Sequence, residues 1–255
     1  MTTTELVDWN VVADATGTTF RWGYEGDDLI AEWIGVLTLR ATRTGELKTL
    51  QPVPGAPKEL VEKIHRGVAT AFLRAQRQEH ALHASAVALR GTALVCLGPS
   101  GLGKSTMAER MCQYVGVELL ADDTTEIEAP QGRELRVLPS EAMVWLAPGN
   151  APAKGPAKSS TAAVSPATLR CIVSLVFDVA ATTLELREIR GADAVSALVP
   201  SLVRFEKSSA IWARELALID RLIAQSRVIE ARRSHDVEAD TVARALIGLL
   251  EKEAG

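Results

Sequence analysis

The sequence predicts an α/β fold, because short apolar segments of strand character alternate with segments of helical periodicity. Residues 93–97 form a brief, partly β-branched apolar run, which a glycine-rich turn separates from a helix predicted over 106–114. A second strand is predicted at 117–121, and the segment 58–78 carries apolar residues at helical spacing. We therefore expect a core in which a strand, a glycine-rich turn, a helix and another strand follow one another.

The composition is that of an ordinary globular protein. Of the 255 residues, 47% are hydrophobic and 24% are charged, and the net charge is −4. This charge gives no electrostatic support for binding to nucleic acid or to an anionic membrane. No apolar run approaches membrane-spanning length, and residues 1–10 are polar and acidic, unlike a signal peptide. Three scattered cysteines without a C-x-x-C pair favour a reducing compartment, so we expect a cytoplasmic protein.

The glycine-rich turn matches the complete phosphate-binding motif G-x-x-x-x-G-K-[ST]. The motif and the residue after it are Gly98, Pro99, Ser100, Gly101, Leu102, Gly103, Lys104, Ser105 and Thr106. The glycines let successive backbone N–H groups turn towards an anion, and the following helix adds the positive end of its dipole. Lys104 is then expected to reach the β- and γ-phosphates of a nucleotide, and the Ser105 hydroxyl to coordinate Mg²⁺. The alternative is a turn that only links a strand to a helix, but the strand before it and the helix after it favour a P-loop.

Two adjacent carboxylates, Asp122 and Asp123, follow the second predicted strand. Beside a phosphate site, one carboxylate can bind Mg²⁺ and another can accept a proton from an attacking hydroxyl. The alternative is a solvated turn at the end of a strand, where Asp is common. We predict that both aspartates are catalytic, that Ser105 and Asp122 bind the metal, and that either aspartate could be the base.

A histidine precedes the motif in another strand-like segment. His83 opens an alternating run that ends at Leu89, and a turn at Arg90 and Gly91 then leads into the P-loop strand as a hairpin. From residue 82 to residue 123, the pattern His-x-Ser-x-Val-x-Leu, hairpin, GPSGLGKST, helix and LLADD resembles the catalytic core of the HPr kinase/phosphorylase family. It is most similar to the smaller HPr-kinase-like proteins, P-loop serine kinases associated with ribosomal-peptide biosynthesis.

The resemblance implies a P-loop HPr-kinase-like (PEP carboxykinase-like) core that uses ATP and Mg²⁺. It implies that His83 is the active-site histidine, in place of the partly buried strand residue that its position alone would favour. It also implies that Asp122 and Asp123 are the acidic pair, and that the reaction transfers the γ-phosphoryl group to a serine hydroxyl. Because the family assembles into oligomers, a homo-oligomer is implied as well.

Two features differ from the family pattern and bear on the acceptor. A Glu-Ile-Arg-Gly sequence occurs at 188–191, too far beyond the acidic pair to match the family signature, and we interpret it as coincidental. The N-terminal region is also shorter than the regulatory domain of the family. Both differences argue against HPr as the acceptor, and the resemblance implies instead a peptide, such as a ribosomal-peptide precursor of the lasso peptide type, or a free serine-like metabolite.

Three regions are predicted along the chain. Residues 1–57 form a small β-rich unit of short strands between Gly and Asp turns, 58–80 a connecting helix, and 81–255 the P-loop kinase catalytic domain. Within the last region, residues 147–168 are rich in Ala, Pro, Gly and Ser and predict a flexible loop, which is either a lid or a solvated linker. In a closing lid, Lys154 or Lys158 would meet phosphate.

Several residues outside the motif have a structural interpretation. Trp9, Trp22 and Trp33 are predicted to form the core of the small sheet, with an aromatic binding platform as the alternative. His65 and His80 lie among charged residues and are predicted at the surface. Arg232 and Arg233 follow a strand predicted over 227–231 and are interpreted as a solvated pair, with an acidic partner as the alternative.

A second class of function is open alongside the kinase. The P-loop is also compatible with a nucleotide-binding switch or ATPase that acts through a protein partner. An ABC-type ATPase is disfavoured, because the chain lacks an LSGGQ-like signature. The second product separates the two classes, since a kinase leaves phosphate on an acceptor and an ATPase releases it.

Overall fold

The fold is mixed α/β in a computed structural model, which describes residues 9–13, 19–140, 143–146, 155–158, 161–205 and 208–255. The chain divides into two compact units, Met1–Glu79 and His80–Gly255. The first contains a five-stranded antiparallel sheet and the second a nine-stranded mixed sheet.

The first unit consists of the five-stranded sheet and a helical segment. Its strands pair in sequence order and are β1 (Asn10–Ala13), β2 (Thr19–Glu25), β3 (Asp28–Trp33), β4 (Leu37–Thr42) and β5 (Leu47–Pro52). The helical segment comprises α1 (Lys58–Ile64), a π-helical turn (His65–Ala69) and α2 (Thr70–Gln76).

An aromatic cluster forms the core of this unit. Phe72 of α2 is fully buried, and its ring contacts the rings of Phe20, Trp22 and Trp33. The prediction that Trp22 and Trp33 are core residues is confirmed. Trp9 is only half-buried, and the Arg21 guanidinium lies 4.3 Å from its ring centre. The segment predicted as a connecting helix thus supplies the core residue around which the first unit packs.

The second unit contains eleven strands, four α-helices and one 3₁₀ helix (Val199–Ser201) among its described residues. The strands are β6 (His80–Leu82), β7 (Ser85–Leu89), β8 (Thr92–Leu97), β9 (Val117–Ala121), β10 (Thr125–Glu128), β11 (Arg136–Val137), β12 (Met143–Leu146), β13 (Gly155–Lys158), β14 (Ala167–Phe177), β15 (Glu185–Glu188) and β16 (Arg227–Arg233). The helices are α3 (Lys104–Met111), α4 (Gly191–Leu198), α5 (Ser209–Gln225) and α6 (Ala239–Ala254).

The large sheet combines parallel and antiparallel pairing. Its main path runs β6-β10-β11-β14-β8-β7-β9, while β16 pairs with β14 and β15 pairs with β16. Strands β8, β14 and β16 are mutually parallel. The predicted hairpin is confirmed, since β7 and β8 pair across Arg90 and Gly91. These two residues have φ angles of 52° and 77°, as the tight two-residue hairpin turn requires.

Both faces of the large sheet are covered, which explains the unbroken apolar run at 93–97. Ala93, Val95 and Leu97 point into a core that includes residues of α4 and α5. Leu94 and Cys96 point into a second core with α3 and α6. Strands buried on both faces lose the polar alternation of a half-exposed strand. The run is therefore apolar at every position.

Part of the predicted loop at 147–168 has regular structure. Its residues 155–158 form β13, which pairs antiparallel with β12. Residues 147–154, including Lys154, and residues 159–160 lie outside the described residues. No helix in the described part of the chain is both long and apolar enough to cross a bilayer.

Two predictions concern isolated residues of this fold. His80 is half-buried in β6, so its prediction as a surface residue is wrong. Desolvation, reinforced by the charges of Arg214 and Arg221, lowers the pKa of His80 to about 4. Glu188, in the Glu-Ile-Arg-Gly sequence, forms ion pairs with Arg190 and Arg227. Our interpretation of this sequence as coincidental stays a prediction.

Candidate functional site

The strand ends of the second unit converge at one edge of the large sheet, which we call the carboxyl edge. The parallel strands β8, β14 and β16 all end there. Strand β7 begins there, because Ser85 pairs with Cys96 near the end of β8. Strand β9 ends there, because Ala121 pairs with Ala86 of β7. In open α/β sheets, residues just beyond such strand ends form the ligand-binding crevice.

The P-loop lies at the centre of the carboxyl edge, between β8 and α3. Gly98 has a φ of 143°, and a Cβ there would lie 3.1 Å from the Leu175 carbonyl oxygen. Gly103, with a φ of 91°, directly precedes the first residue of α3. The N-cap residue of this helix is Gly103, which makes no side-chain hydrogen bond to the first N–H groups of the helix. An anion held by the loop would meet these N–H groups and the positive end of the helix dipole.

Helix α3 begins two residues before the start expected at Thr106 and ends before Tyr114. The early start places Lys104 and Ser105 in the first turn, and both side chains are buried. The Lys104 ammonium donates to the carbonyl oxygens of Gly98, at 2.7 Å, and Pro99, at 3.3 Å. The lysine side chain therefore folds back over the loop that precedes it.

His83 connects this lysine to the second aspartate. Its Nε2 lies 3.2 Å from Lys104 Nζ, and its Nδ1 lies 2.8 Å from the Asp123 carbonyl oxygen and 3.5 Å from Asp123 Oδ1. Since a carbonyl oxygen only accepts, Nδ1 carries the proton, and Nε2 can then accept from the ammonium. These contacts are those of a neutral imidazole. The backbone N–H of His83 also donates to the Ser201 carbonyl oxygen at 2.6 Å, which fixes the backbone at this point.

The two aspartates occupy different environments. Asp122 is fully buried, and its Oδ1 accepts a hydrogen bond from Ser85 Oγ at 2.5 Å. The Asp123 side chain is 34% exposed. Its φ of 70° lies in the left-handed region, where a residue other than glycine costs on the order of 1–3 kcal/mol. A solvated turn does not describe Asp122, and the structure separates a buried carboxylate from an accessible one.

The residues predicted to bind metal are chemically suited to Mg²⁺. Ser105 offers a hydroxyl and Asp122 a carboxylate, which are oxygen donors that Mg²⁺ prefers. No group of three or more His, Cys, Asp or Glu side chains in the described ranges could hold an ion by itself. A nucleotide-bound Mg²⁺ does not need such a group, because phosphate oxygens and water complete its coordination. Ser105 and Asp122 therefore offer the donor atoms that the metal of a nucleotide complex needs.

Residues that the sequence analysis missed lie on the other side of the P-loop. Arg233 ends β16, and its Nη2 donates to the Leu102 carbonyl oxygen at 3.3 Å. Arg232 forms ion pairs with Asp178 and Glu230. The interpretation of Arg232 and Arg233 as a solvated pair is therefore wrong, because the end of β16 reaches the P-loop.

Two rings accompany Arg233 at this end of the carboxyl edge. Phe177 ends β14 and pairs with Arg233 in the parallel register. The rings of Phe177 and His235 lie 4.1 Å apart, centre to centre. The available signal for Arg233 was its position just beyond the strand predicted over 227–231, because residues beyond the carboxyl end of a strand are candidates for a binding crevice.

Of the comparisons with known proteins, the one with solved structures finds similar chains. No family model matches the sequence, and no curated protein matches it. Among solved structures, the HPr(Ser) kinase/phosphatase from Coxiella burnetii is similar, with a TM-score of 0.39 and 14% sequence identity. The match covers 68% of this chain and 94% of that one. It is too distant to carry a residue's role across, so each role proposed below rests on contacts within this chain.

Proposed function

We propose that this protein is a kinase that transfers the γ-phosphoryl group of ATP, bound with Mg²⁺, to a serine hydroxyl. The observation that carries the proposal is a series of contacts from Lys104 through His83 to Asp123. Lys104 Nζ lies 3.2 Å from His83 Nε2, and His83 Nδ1 lies 2.8 Å from the Asp123 carbonyl oxygen. This series joins the residue that would hold the phosphates to a residue that could deprotonate the acceptor. Such an arrangement serves a reaction that depends mainly on positioning and electrostatic stabilisation.

The P-loop would bind the phosphates. Its backbone N–H groups and the start of α3 surround the β- and γ-phosphates, and the Lys104 ammonium exchanges its contacts with Gly98 and Pro99 for phosphate oxygens. Ser105 and Asp122 would hold Mg²⁺, which when bound would neutralise phosphate charge. The buried hydrogen bond from Ser85 orients the Asp122 carboxylate.

Asp123 would act as the general base. A base must reach the proton of the acceptor hydroxyl, and the exposed Asp123 carboxylate is open to an acceptor while that of Asp122 is buried. The serine oxygen attacks the γ-phosphorus, the bond to the β–γ bridging oxygen breaks, and Asp123 takes the hydroxyl proton as ADP leaves. His83, through its contacts with the Asp123 backbone and carboxylate, positions the base.

We propose a peptide serine as the acceptor, with a ribosomal-peptide precursor first and a free serine-like metabolite second. The sequence pattern from His83 to Asp123 supports a serine acceptor. The short N-terminal region and the distant Glu-Ile-Arg-Gly sequence argue against HPr as that acceptor. A cytoplasmic location and a homo-oligomer belong to the same proposal.

The test is mass spectrometry of candidate acceptors after incubation with the protein, ATP and Mg²⁺. The candidates are HPr, free serine and the precursor peptide encoded nearest to the gene. We expect a gain of one phosphoryl group on an acceptor, which disappears in Lys104→Ala and persists in Lys252→Ala, an exposed lysine on α6. Release of free phosphate without a phosphorylated acceptor would instead favour a nucleotide switch or ATPase.

A further inference from the structure

A cavity of about 200 Å³ opens beside the P-loop, on the side away from His83 and Asp123. Gly101, Leu102 and Gly103 form one wall, so the P-loop is itself part of the cavity. Phe177 and His235 also line it. A ligand whose phosphates lie on the P-loop can therefore extend into this cavity without leaving the protein surface.

The lining suits a flat, partly apolar group. Met107 and Leu175 contribute apolar surface, and the Phe177 and His235 rings lie together at 4.1 Å with their planes 43° apart. Arg233 also lines the cavity, and its guanidinium contacts the loop at Leu102. Aromatic rings and arginine planes are the groups on which nucleobases stack.

The size and position of the cavity indicate which part of a nucleotide it would hold. Pockets that enclose a whole drug-sized ligand measure roughly 300–1,000 Å³, so this one accommodates a fragment. The accessible carboxylate of Asp123 lies on the other side of the P-loop, at the end of β9, where the phosphoryl group would be transferred. The end of the nucleotide that points away from the transfer reaction is the nucleoside.

We propose that this cavity binds the base of the nucleoside triphosphate, with Phe177 and His235 as the stacking surface. The assignment rests on the proposed function, because it requires the triphosphate to lie on the P-loop. It goes beyond that function by naming the residues that recognise the nucleoside. The Phe177 ring supplies affinity for the base and none for the phosphates.

The experiment compares the binding of Mg-ATP and of Mg-tripolyphosphate, which has the phosphates without the nucleoside, by calorimetry. We expect the unmodified protein to bind ATP more tightly than tripolyphosphate. Phe177→Leu should weaken ATP binding about tenfold and leave tripolyphosphate binding unchanged, because base stacking is lost. Phe177→Tyr, which keeps the ring, should bind ATP within about twofold of the unmodified protein.

Two further variants guard against an effect on folding. His235→Ala changes an exposed residue and should weaken ATP binding several-fold even if Phe177→Leu fails to fold. Trp212→Leu is the control, because it removes an exposed ring from α5, whose buried residues pack on the face of the sheet opposite to α3. It should change the affinity for neither ATP nor tripolyphosphate.

The outcomes separate this assignment from the proposed function. Equal binding of ATP and tripolyphosphate, or equal weakening of both in the Phe177→Leu and His235→Ala variants, would overturn the base cavity while leaving phosphate binding at the P-loop intact. Binding of neither ligand by the unmodified protein would overturn the proposed function and the cavity assignment together.

Discussion

The two sides of the P-loop present different chemistry at the same edge of one sheet. On the side of β7 and β9 lies a hydrogen-bonded set that we call the polar flank: His83, Ser85, Asp122 and Asp123. On the side of β14 and β16 lies the aromatic flank: Phe177, Arg233 and His235. Hydrogen bonds fix donor and acceptor positions, whereas stacking surfaces provide affinity with little directional demand. We therefore expect changes in the polar flank to affect rate and changes in the aromatic flank to affect affinity.

The largest expected effect is on turnover, in Asp123→Asn. The amide keeps the size of the carboxylate but cannot accept the proton, so kcat should fall by about 10²–10⁴-fold. ATP affinity should stay within about twofold, because the P-loop is unchanged. The matched change in the aromatic flank, Phe177→Leu, should raise the KM for ATP with kcat nearly unchanged. Steady-state kinetics and calorimetry measure both quantities, and normal turnover in Asp123→Asn would remove this residue from the chemistry.

Ser85→Ala should reveal the stability contributed by the polar flank. The change removes the hydroxyl that donates to the buried Asp122 carboxylate. A buried acceptor that loses a partner typically costs about 1–3 kcal/mol, measured here as the free energy of unfolding in urea. Ser196→Ala, at an exposed position on α4, should change that free energy by less than about 0.5 kcal/mol. Equal stability of the two variants would mean that Asp122 does not depend on Ser85.

Arg233→Gln should show whether Arg233 contacts the phosphates or the base of the nucleotide. Arg233 contacts the loop at Leu102, whereas the neighbouring Arg232 is held by Asp178 and Glu230. We expect Arg233→Gln to weaken ATP and tripolyphosphate about equally, by roughly tenfold, because a charged donor beside the loop is lost. Arg232→Gln should leave both affinities unchanged. A loss confined to ATP would instead assign Arg233 to the base.

The polar flank was largely predictable from the sequence, and the aromatic flank was not. The P-loop glycines, the hairpin at Arg90 and Gly91, and the two aspartates are local signals, because each depends on neighbouring residues. Phe177 and Arg233 meet the P-loop only through the parallel pairing of β8, β14 and β16, which brings together distant parts of the chain. A pairing of that kind has no local sequence signature.

Even within the polar flank, the sequence left one distinction open. Asp122 and Asp123 are adjacent and chemically identical, yet one is buried and the other is accessible. The difference arises because Asp122 faces Ser85 and because the backbone turns into the left-handed region at Asp123. Both causes lie in the folded structure, so the pair could be predicted but not its division of roles.

The smallest expected effect is on the stability of the second unit as the pH falls. His80, in β6, has its pKa lowered from 6.5 to about 4 by burial and by the charges of Arg214 and Arg221. The unfolded chain binds a proton near pH 6.5 and the folded chain only near pH 4, so the folded state loses stability as the pH falls below 6.5. Because His80 is partly exposed, we expect a loss of about 1 kcal/mol between about pH 7.5 and about pH 5.

The measurement is urea unfolding at both pH values for the unmodified protein and for His80→Gln. The variant cannot gain the proton, so its stability should depend less on pH, whatever its absolute value. An equal dependence in both proteins would show that His80 is not held neutral by the fold.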